Sequence, residues 1–184
     1  MIKNFRIFEQ LSRQDIDPYN EEDWNDDNDT PIIIIAKEQN IPLDQIRSLY
    51  CYNNELTSLE GIDRLTNLIE LYCYNNSLTS LEGIEHLTNL KTLVCYNNRL
   101  NSMKGIEHLT NLRELYCFDN QLTSLEGIEH LKNLEILFCN NNSLTNLNGI
   151  DNLKNLRKLK CNNNKFTQEY KNYLKSKLKT RIVI

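Results

Sequence analysis

A strict 22-residue period governs this chain and leaves few folds open to it. All six cysteines (Cys51, Cys73, Cys95, Cys117, Cys139, Cys161) stand 22 residues apart, and the five glycines from Gly61 to Gly149 keep the same step. The unit is cleanest over residues 68–89, LIELYCYNNSLTSLEGIEHLTN, and starts at Ile46, Leu68, Leu90, Leu112, Leu134 and Leu156. Self-similarity at such a period marks a repeat architecture, in which each coil buries its apolar side against the next. The 184 residues, 40% of them apolar, therefore suit one continuous folded unit.

Numbered from those starts, positions 1, 4, 6, 9, 11, 14, 17 and 20 hold Leu, Leu, Cys, Asn, Leu, Leu, Ile and Leu. Alternation at positions 4 and 6 predicts a short strand with both residues turned inward. From position 11 the apolar residues recur every third place, which suits a tight 3₁₀-like or extended segment. Glycine at position 16 supplies the backbone freedom for the turn between them. Asn54, Asn76, Asn98, Asn120, Asn142 and Asn164 hold position 9, where the chain leaves the strand. An amide buried there can bond backbone groups that the turn leaves without partners. With the cysteines, these asparagines are read as a structural ladder.

The run L-x-x-L-x-C-x-x-N-x-L resembles the leucine-rich repeat motif. From about residue 43 to 166 the chain is similar to the 22-residue class, which includes phosphatase-regulator repeats and internalins. Within that class, the position-6 cysteine, the YNN after it and the LTSLEGIEHL stretch look most like repeats of giant amoeba-infecting viruses (mimivirus type). The resemblance implies an α/β repeat solenoid: a right-handed curved coil with a concave parallel β-sheet, short 3₁₀ or extended convex segments, and caps at both ends. It also implies a protein-binding surface and no shared chemistry.

Residues 1–42 depart from the repeat and are read as an acidic N-terminal cap. A cluster of Ile2, Phe5, Ile7, Phe8 and Leu11 fits a helix or a strand, and residues 15–29, with Trp24, read as a loop. Thr30-Pro31 reads as a helix start, with threonine at the N-cap and proline at the first helical position. The IIIIAKEQN that follows fits a short helix, with a buried strand as the competitor. Residues 43–166 form about six repeats, and 167–184 a C-terminal cap of helix plus short strand. Thr167 is its N-cap, with Tyr170, Tyr173, Leu174 and Leu178 at helical spacing and TRIVI as the strand.

Charge divides along the same boundaries. Residues 1–42 carry ten acids and four bases, residues 43–149 thirteen and seven, and residues 150–184 two and ten. The balances are −6, −6 and +8, so the chain is acidic at its head and basic at its tail.

No apolar run approaches the roughly 18 residues of a membrane span. The opening MIKNFRIFEQ lacks the apolar block of a secretory leader. One cysteine per coil does not read as a disulfide framework either. In-register strands place neighbouring Cβ atoms about 4.8 Å apart, whereas a disulfide wants about 3.8 Å. The expectation is six reduced thiols in a cytoplasmic protein, in the host cell if the source is viral.

Candidate functional residues lie on the outward positions of the strand. Position 5 gives Tyr50, Tyr72, Val94, Tyr116, Phe138 and Lys160; position 7 gives Tyr52, Tyr74, Tyr96, Phe118, Asn140 and Asn162. Eight aromatics thus line one face in two columns, an apolar patch larger than monomers usually expose. One reading makes them a partner-binding surface. The other makes them strand formers that stack on their neighbours.

His86, His108 and His130 share position 19, but a straight row cannot surround a metal ion. No cofactor, metal or catalytic residue is expected, because every glycine serves the repeat and no nucleophile has a base in reach. The sequence therefore points to a non-catalytic module that binds an unknown protein on its concave aromatic face. A structural or self-associating role through the same patch or the charged ends is the alternative, with the free protein a monomer or weakly associating. Nucleic-acid binding through the basic cap ranks third, because the columns adjoin acidic and neutral repeats.

Overall fold

The computed structural model describes residues 29–177 and the strand at 181–183. The apolar cluster at residues 2–11, the acidic segment as far as residue 28, Trp24 and Leu178 lie outside the described residues.

Seven three-residue strands form one parallel sheet in chain order: β1 (Ser48–Tyr50), β2 (Glu70–Tyr72), β3 (Thr92–Val94), β4 (Glu114–Tyr116), β5 (Ile136–Phe138), β6 (Lys158–Lys160) and β7 (Arg181–Val183). Pairing keeps the repeat register, so Leu49, Leu71, Leu93, Leu115, Leu137 and Leu159 lie side by side. Backbone bonding outlasts the strands: Cys51 N–H donates to Tyr72 O at 2.9 Å and Asn75 N–H to Tyr96 O at 3.1 Å. The result is a curved solenoid with the sheet on one side.

The other side is built from one-turn 3₁₀ helices, Ile62–Arg64, Ile84–His86, Ile106–His108, Ile128–His130 and Ile150–Asn152. Each follows a glycine with φ between 86° and 95°, a backbone conformation that costs an L side chain energy. At Gly149 a Cβ would also meet the Glu129 Cβ at 2.7 Å. Between the layers lies a single column of Leu, Ile and Cys, most of it fully buried. Each coil has no core of its own and is completed by its neighbours.

The residue after position 7 has φ between 52° and 59° in every coil: Asn53, Asn75, Asn97, Asp119, Asn141 and Asn163. Asparagine and aspartate tolerate this left-handed conformation best among residues with a Cβ. The strand exit thus takes two positions and not the expected position 9 alone: position 8 makes the bend and position 9 satisfies it. Asn76 shows how: its Nδ2 donates to Cys51 O at 2.9 Å and Cys73 O at 3.0 Å, while its Oδ1 accepts from Asn54 N–H and Leu56 N–H. Asn98, Asn120, Asn142 and Asn164 likewise bridge the cysteine carbonyls of two consecutive coils.

At the N-terminal side, the 32–35 isoleucines lie in helix α1 (Pro31–Lys37), with Ile32, Ile33, Ile35 and Ala36 buried. The helix prevails over the strand because proline fixes the first helical φ, and Ile34 alone of the four faces outward. Thr30 departs from expectation. It has the extended backbone of an N-cap, but its hydroxyl does not cap the helix and instead donates to Glu60 O at 2.5 Å. That bond ties α1 to the first turn of the repeats. At the other end, Thr167 Oγ1 accepts from Tyr170 N–H at 3.1 Å and starts α2 (Gln168–Lys177), which buries Leu174. β7 pairs with β6 and extends the sheet by one strand.

Candidate functional site

The outward face of the sheet is a pair of ring stacks. In the position-7 column, Tyr52–Tyr74, Tyr74–Tyr96 and Tyr96–Phe118 have centroids 4.5, 4.6 and 4.3 Å apart and planes within 11°. These spacings lie just under the strand spacing of about 4.8 Å, so side chains in register meet face to face. The position-5 column is broken. Tyr50 stacks on Tyr72 at 4.8 Å, Val94 interrupts, and Tyr116 meets Phe138 edge-on at 5.2 Å and 82°. All eight aromatics share one face, and only Tyr50 is as much as 45% exposed. The exposed aromatic area is therefore smaller than the sequence implies. Each ring covers its neighbour, and the column offers solvent mainly edges and hydroxyls.

Carboxylates accompany the first column. Glu70 accepts from Ser48 Oγ at 3.0 Å and Glu114 from Tyr116 Oη at 3.0 Å. Burial, then the neighbouring Glu70, pushes the Tyr72 hydroxyl up to about 12. Burial, then the bond to Glu114, does the same for Tyr116. Both hydroxyls stay protonated, and both remain donors, across the neutral range. Towards the C-terminus the face changes character: Lys158 and Lys160 flank Leu159, and Asn140 and Asn162 replace the rings. Neither Asn140 Oδ1 nor Asn162 Oδ1, both buried, has a hydrogen-bond partner among the described residues.

The six cysteines are buried and unpaired. Burial raises all six thiols above their ordinary range, with Cys73 and Cys117 pushed up to about 12. As buried neutral thiols they act as small apolar side chains. His86, His108 and His130 are 59% exposed on the 3₁₀ turns, each 3.8–3.9 Å from the glutamate before it. No cluster of three or more His, Cys, Asp or Glu converges among the described residues.

Two surface hollows lie elsewhere. One of about 450 Å³ adjoins α2 beside Leu147 and Tyr170, where Tyr173 donates to Asp151. Another of about 540 Å³ opens among the 3₁₀ turns near Met103 and His130. In the second, the Ser102 and Ser124 hydroxyls accept from the backbone N–H of Lys104 and Glu126 at 3.1 and 3.0 Å.

Sequence reasoning passed over a second amide row at position 22. Asn67, Asn89, Asn111, Asn133 and Asn155 each donate to a carbonyl of the preceding coil at 2.8–3.2 Å. Its signal was the unbroken asparagine in the LTN and LKN segments that precede each coil.

Three solved structures share this architecture. An internalin of Listeria monocytogenes, InlF, superposes with a TM-score of 0.72 at 22% identity, over 76% of this chain and 41% of its own. A leucine-rich repeat protein of Leptospira interrogans gives 0.63 at 25% identity, over 78% and 51%. Internalin InlC2 of Listeria monocytogenes gives 0.66 at 31% identity, over 76% and 62%. The chain thus spans between two-fifths and two-thirds of their length. No curated protein is significantly similar in sequence. The family described as leucine-rich repeats in two copies matches residues 44–86, 66–108, 88–131 and 110–152. Matched without a gap from residue 44 to 152, more than half its length, the chain belongs to the leucine-rich repeat family.

Proposed function

We propose that this chain is a non-catalytic interaction module that holds a protein partner on its aromatic sheet face. The supporting observation is the stack of Tyr52, Tyr74, Tyr96 and Phe118 with the second column beside it. Rings fixed by their neighbours lose little further freedom on binding, so contact area comes at low entropic cost. Hydroxyls on the same rings add directional bonds. The test is the triple variant Tyr72→Ser, Tyr74→Ser, Tyr96→Ser, compared with the parent in a pull-down. The expected result is a folded solenoid by circular dichroism that no longer captures the partner. Unchanged capture by the folded variant overturns the reading.

The charge asymmetry between the ends supports a second reading, head-to-tail self-association. Light scattering would then show a mass that falls as salt rises, because screening weakens contacts between exposed charges. The proposal also extends to setting: a reducing cytoplasm, supported by six buried thiols, and a giant-virus source, supported by the C-Y-N-N and LTSLEGIEHL wording of the repeat. Mass spectrometry of the protein from its native source, with thiols blocked at lysis, tests the first. Six blocked thiols are expected, and a disulfide would sink it.

A further inference from the structure

The first strand is equipped like an inner strand, yet among the described residues it has a neighbour on one side only. In every later coil the position-5 carbonyl accepts from the position-6 N–H of the coil before. Cys51 N–H donates to Tyr72 O, Cys73 to Val94 O, Cys95 to Tyr116 O, Cys117 to Phe138 O and Cys139 to Lys160 O, all at 2.8–2.9 Å. Tyr50 O, the same group in β1, has no donor among the described residues.

The position-9 amide repeats this asymmetry. Asn76, Asn98, Asn120, Asn142 and Asn164 turn Oδ1 to the coil before, where it accepts from the N–H of Leu56, Leu78, Leu100, Leu122 and Leu144 at 2.9–3.0 Å. Asn54 Nδ2 donates to Tyr52 O at 2.9 Å, but its Oδ1 accepts from no described residue. The rings agree. Among the described residues Tyr50 stacks on Tyr72 alone and Tyr52 on Tyr74 alone, and Tyr50 is the most exposed of the eight. Gln39 Nε2 already donates to Ser48 O at 3.2 Å, so the unpaired edge runs from Tyr50 to Asn54. Such an edge is a template for one more strand.

The chain itself holds a segment written in the same frame. The strand half of the unit is apolar at positions 1, 4 and 6, aromatic at 7 in the first four coils, and an amide at 9. Residues 2–10, IKNFRIFEQ, supply Ile2, Phe5, Ile7, Phe8 and Gln10 at those five places. The connection is long enough. Residues 9–28 join the segment to Asp29 and Thr30, and Thr30 is bound to Glu60 O beside the first glycine turn. Each coil covers the path from position 7 to that turn in nine residues, as from Tyr52 to Gly61. A tether also holds its own segment at the edge in preference to a strand from outside.

We infer that residues 5–8 form a further parallel strand on the free edge of β1, with Phe5 opposite Leu49, Arg6 opposite Tyr50, Ile7 opposite Cys51 and Phe8 opposite Tyr52. Ile7 N–H then donates to Tyr50 O, and Asn54 Oδ1 accepts from Gln10 N–H, as Asn76 Oδ1 does from Asn54 N–H. Phe8 adds a ring to the unbroken column, and Arg6 lays a planar cation against the exposed Tyr50. The aromatic face begins one strand earlier, and the edge is closed within the chain. This pairing holds whether or not a partner binds the face.

NMR of the full chain tests it. The Ile7 and Gln10 amides are expected to exchange with solvent at least about tenfold more slowly than in the free peptide IKNFRIFEQ. Nuclear Overhauser contacts should link residues 5–8 to residues 49–52 in parallel register. Ile7→Pro, which removes the donor to Tyr50 O, is expected to abolish these contacts and the protection of Gln10, while contacts between β2 and β3 persist and report an intact solenoid. A mixture of isotope-labelled and unlabelled protein separates pairing within one chain from pairing between copies. Unprotected amides at Ile7 and Gln10, helical contacts across residues 2–11, Gln10 protection that survives Ile7→Pro, or contacts that link only different copies would each overturn the inference.

Discussion

The two sides of each strand obey different rules. Inward, the same residue types recur through all six coils: Leu49 to Leu159 and Cys51 to Cys161, with asparagine at every strand exit. Outward, the residues change along the sheet: tyrosines dominate the first coils, Thr92 and Val94 interrupt them, and lysine and asparagine take over by β6. The inward set is fixed by contact with its own copies above and below, so a change in one coil is felt by its neighbours. The outward set has copies beside it but solvent in front, and it varies without loss of the fold. The difference teaches which positions the fold constrains and which it leaves free: the repeat breaks its own pattern mainly where a side chain faces outward.

The inward side should break first under mutation. Leu93 is fully buried between Leu71 and Leu115, and Leu93→Ala leaves a cavity that rigid neighbours cannot fill. A loss of about 3 kcal/mol is expected, read as a lower urea midpoint. Asn98→Ala should come close behind. Its Nδ2 serves Cys73 O and Cys95 O, and its Oδ1 serves Leu78 N–H. Truncation strands buried polar groups at a cost of about 2 kcal/mol. A loss under ~0.5 kcal/mol in that variant would mean that the amide row is incidental to stability.

The thiols give the inward side a pH signature. In the unfolded chain a cysteine ionises near 9, whereas burial holds Cys73 and Cys117 protonated up to about 12. Unfolding therefore releases protons above pH 9. This contribution to stability is fully present below pH 9 and is lost as pH rises from 9 through 12. Tyr72 and Tyr116 add a loss of the same sign from 10 to 12. Melting temperature should be flat from pH 7 to 8.5 and fall beyond 9, while iodoacetamide at pH 8 labels the thiols only after denaturation.

Much of the inward side was legible because period and burial report the same fact: a residue that must pack against its own copies cannot change. Leu, Cys and position-9 Asn fall in that class, and so does the glycine turn. Position 8 was missed because the left-handed bend depends on backbone dihedrals, and its only trace is asparagine, which the neighbouring position 9 also carries. The competition at residues 32–35 had to await the structure, since four isoleucines satisfy a helix face or a strand equally until a partner surface is present. On the outward face the columns were legible from the alternation. Their stacking was not, because ring geometry depends on which rotamers neighbouring coils permit. Where the first column is interrupted follows from the register, which sets Thr92 and Val94 between two Glu-Leu-Tyr strands.

The smallest stability effect belongs to the outward side, and it is the sharpest test of the comparison. Tyr74 stacks on Tyr52 at 4.5 Å and Tyr96 at 4.6 Å. Tyr74→Ser removes two ring contacts from a half-buried side chain and exposes no core, so a cost near 1 kcal/mol is expected. Tyr74→Phe keeps the stack and loses only the hydroxyl, and should fall within about 0.5 kcal/mol of the parent. A double-mutant cycle between Tyr74 and Tyr96 isolates the contact, since it subtracts what each ring does alone. A coupling of several kcal/mol would place these rings with the inward set, as a second core facing solvent. A coupling of about 1 kcal/mol, with capture lost in Tyr74→Phe at unchanged stability, would show that the hydroxyl row is kept for a partner and not for the fold.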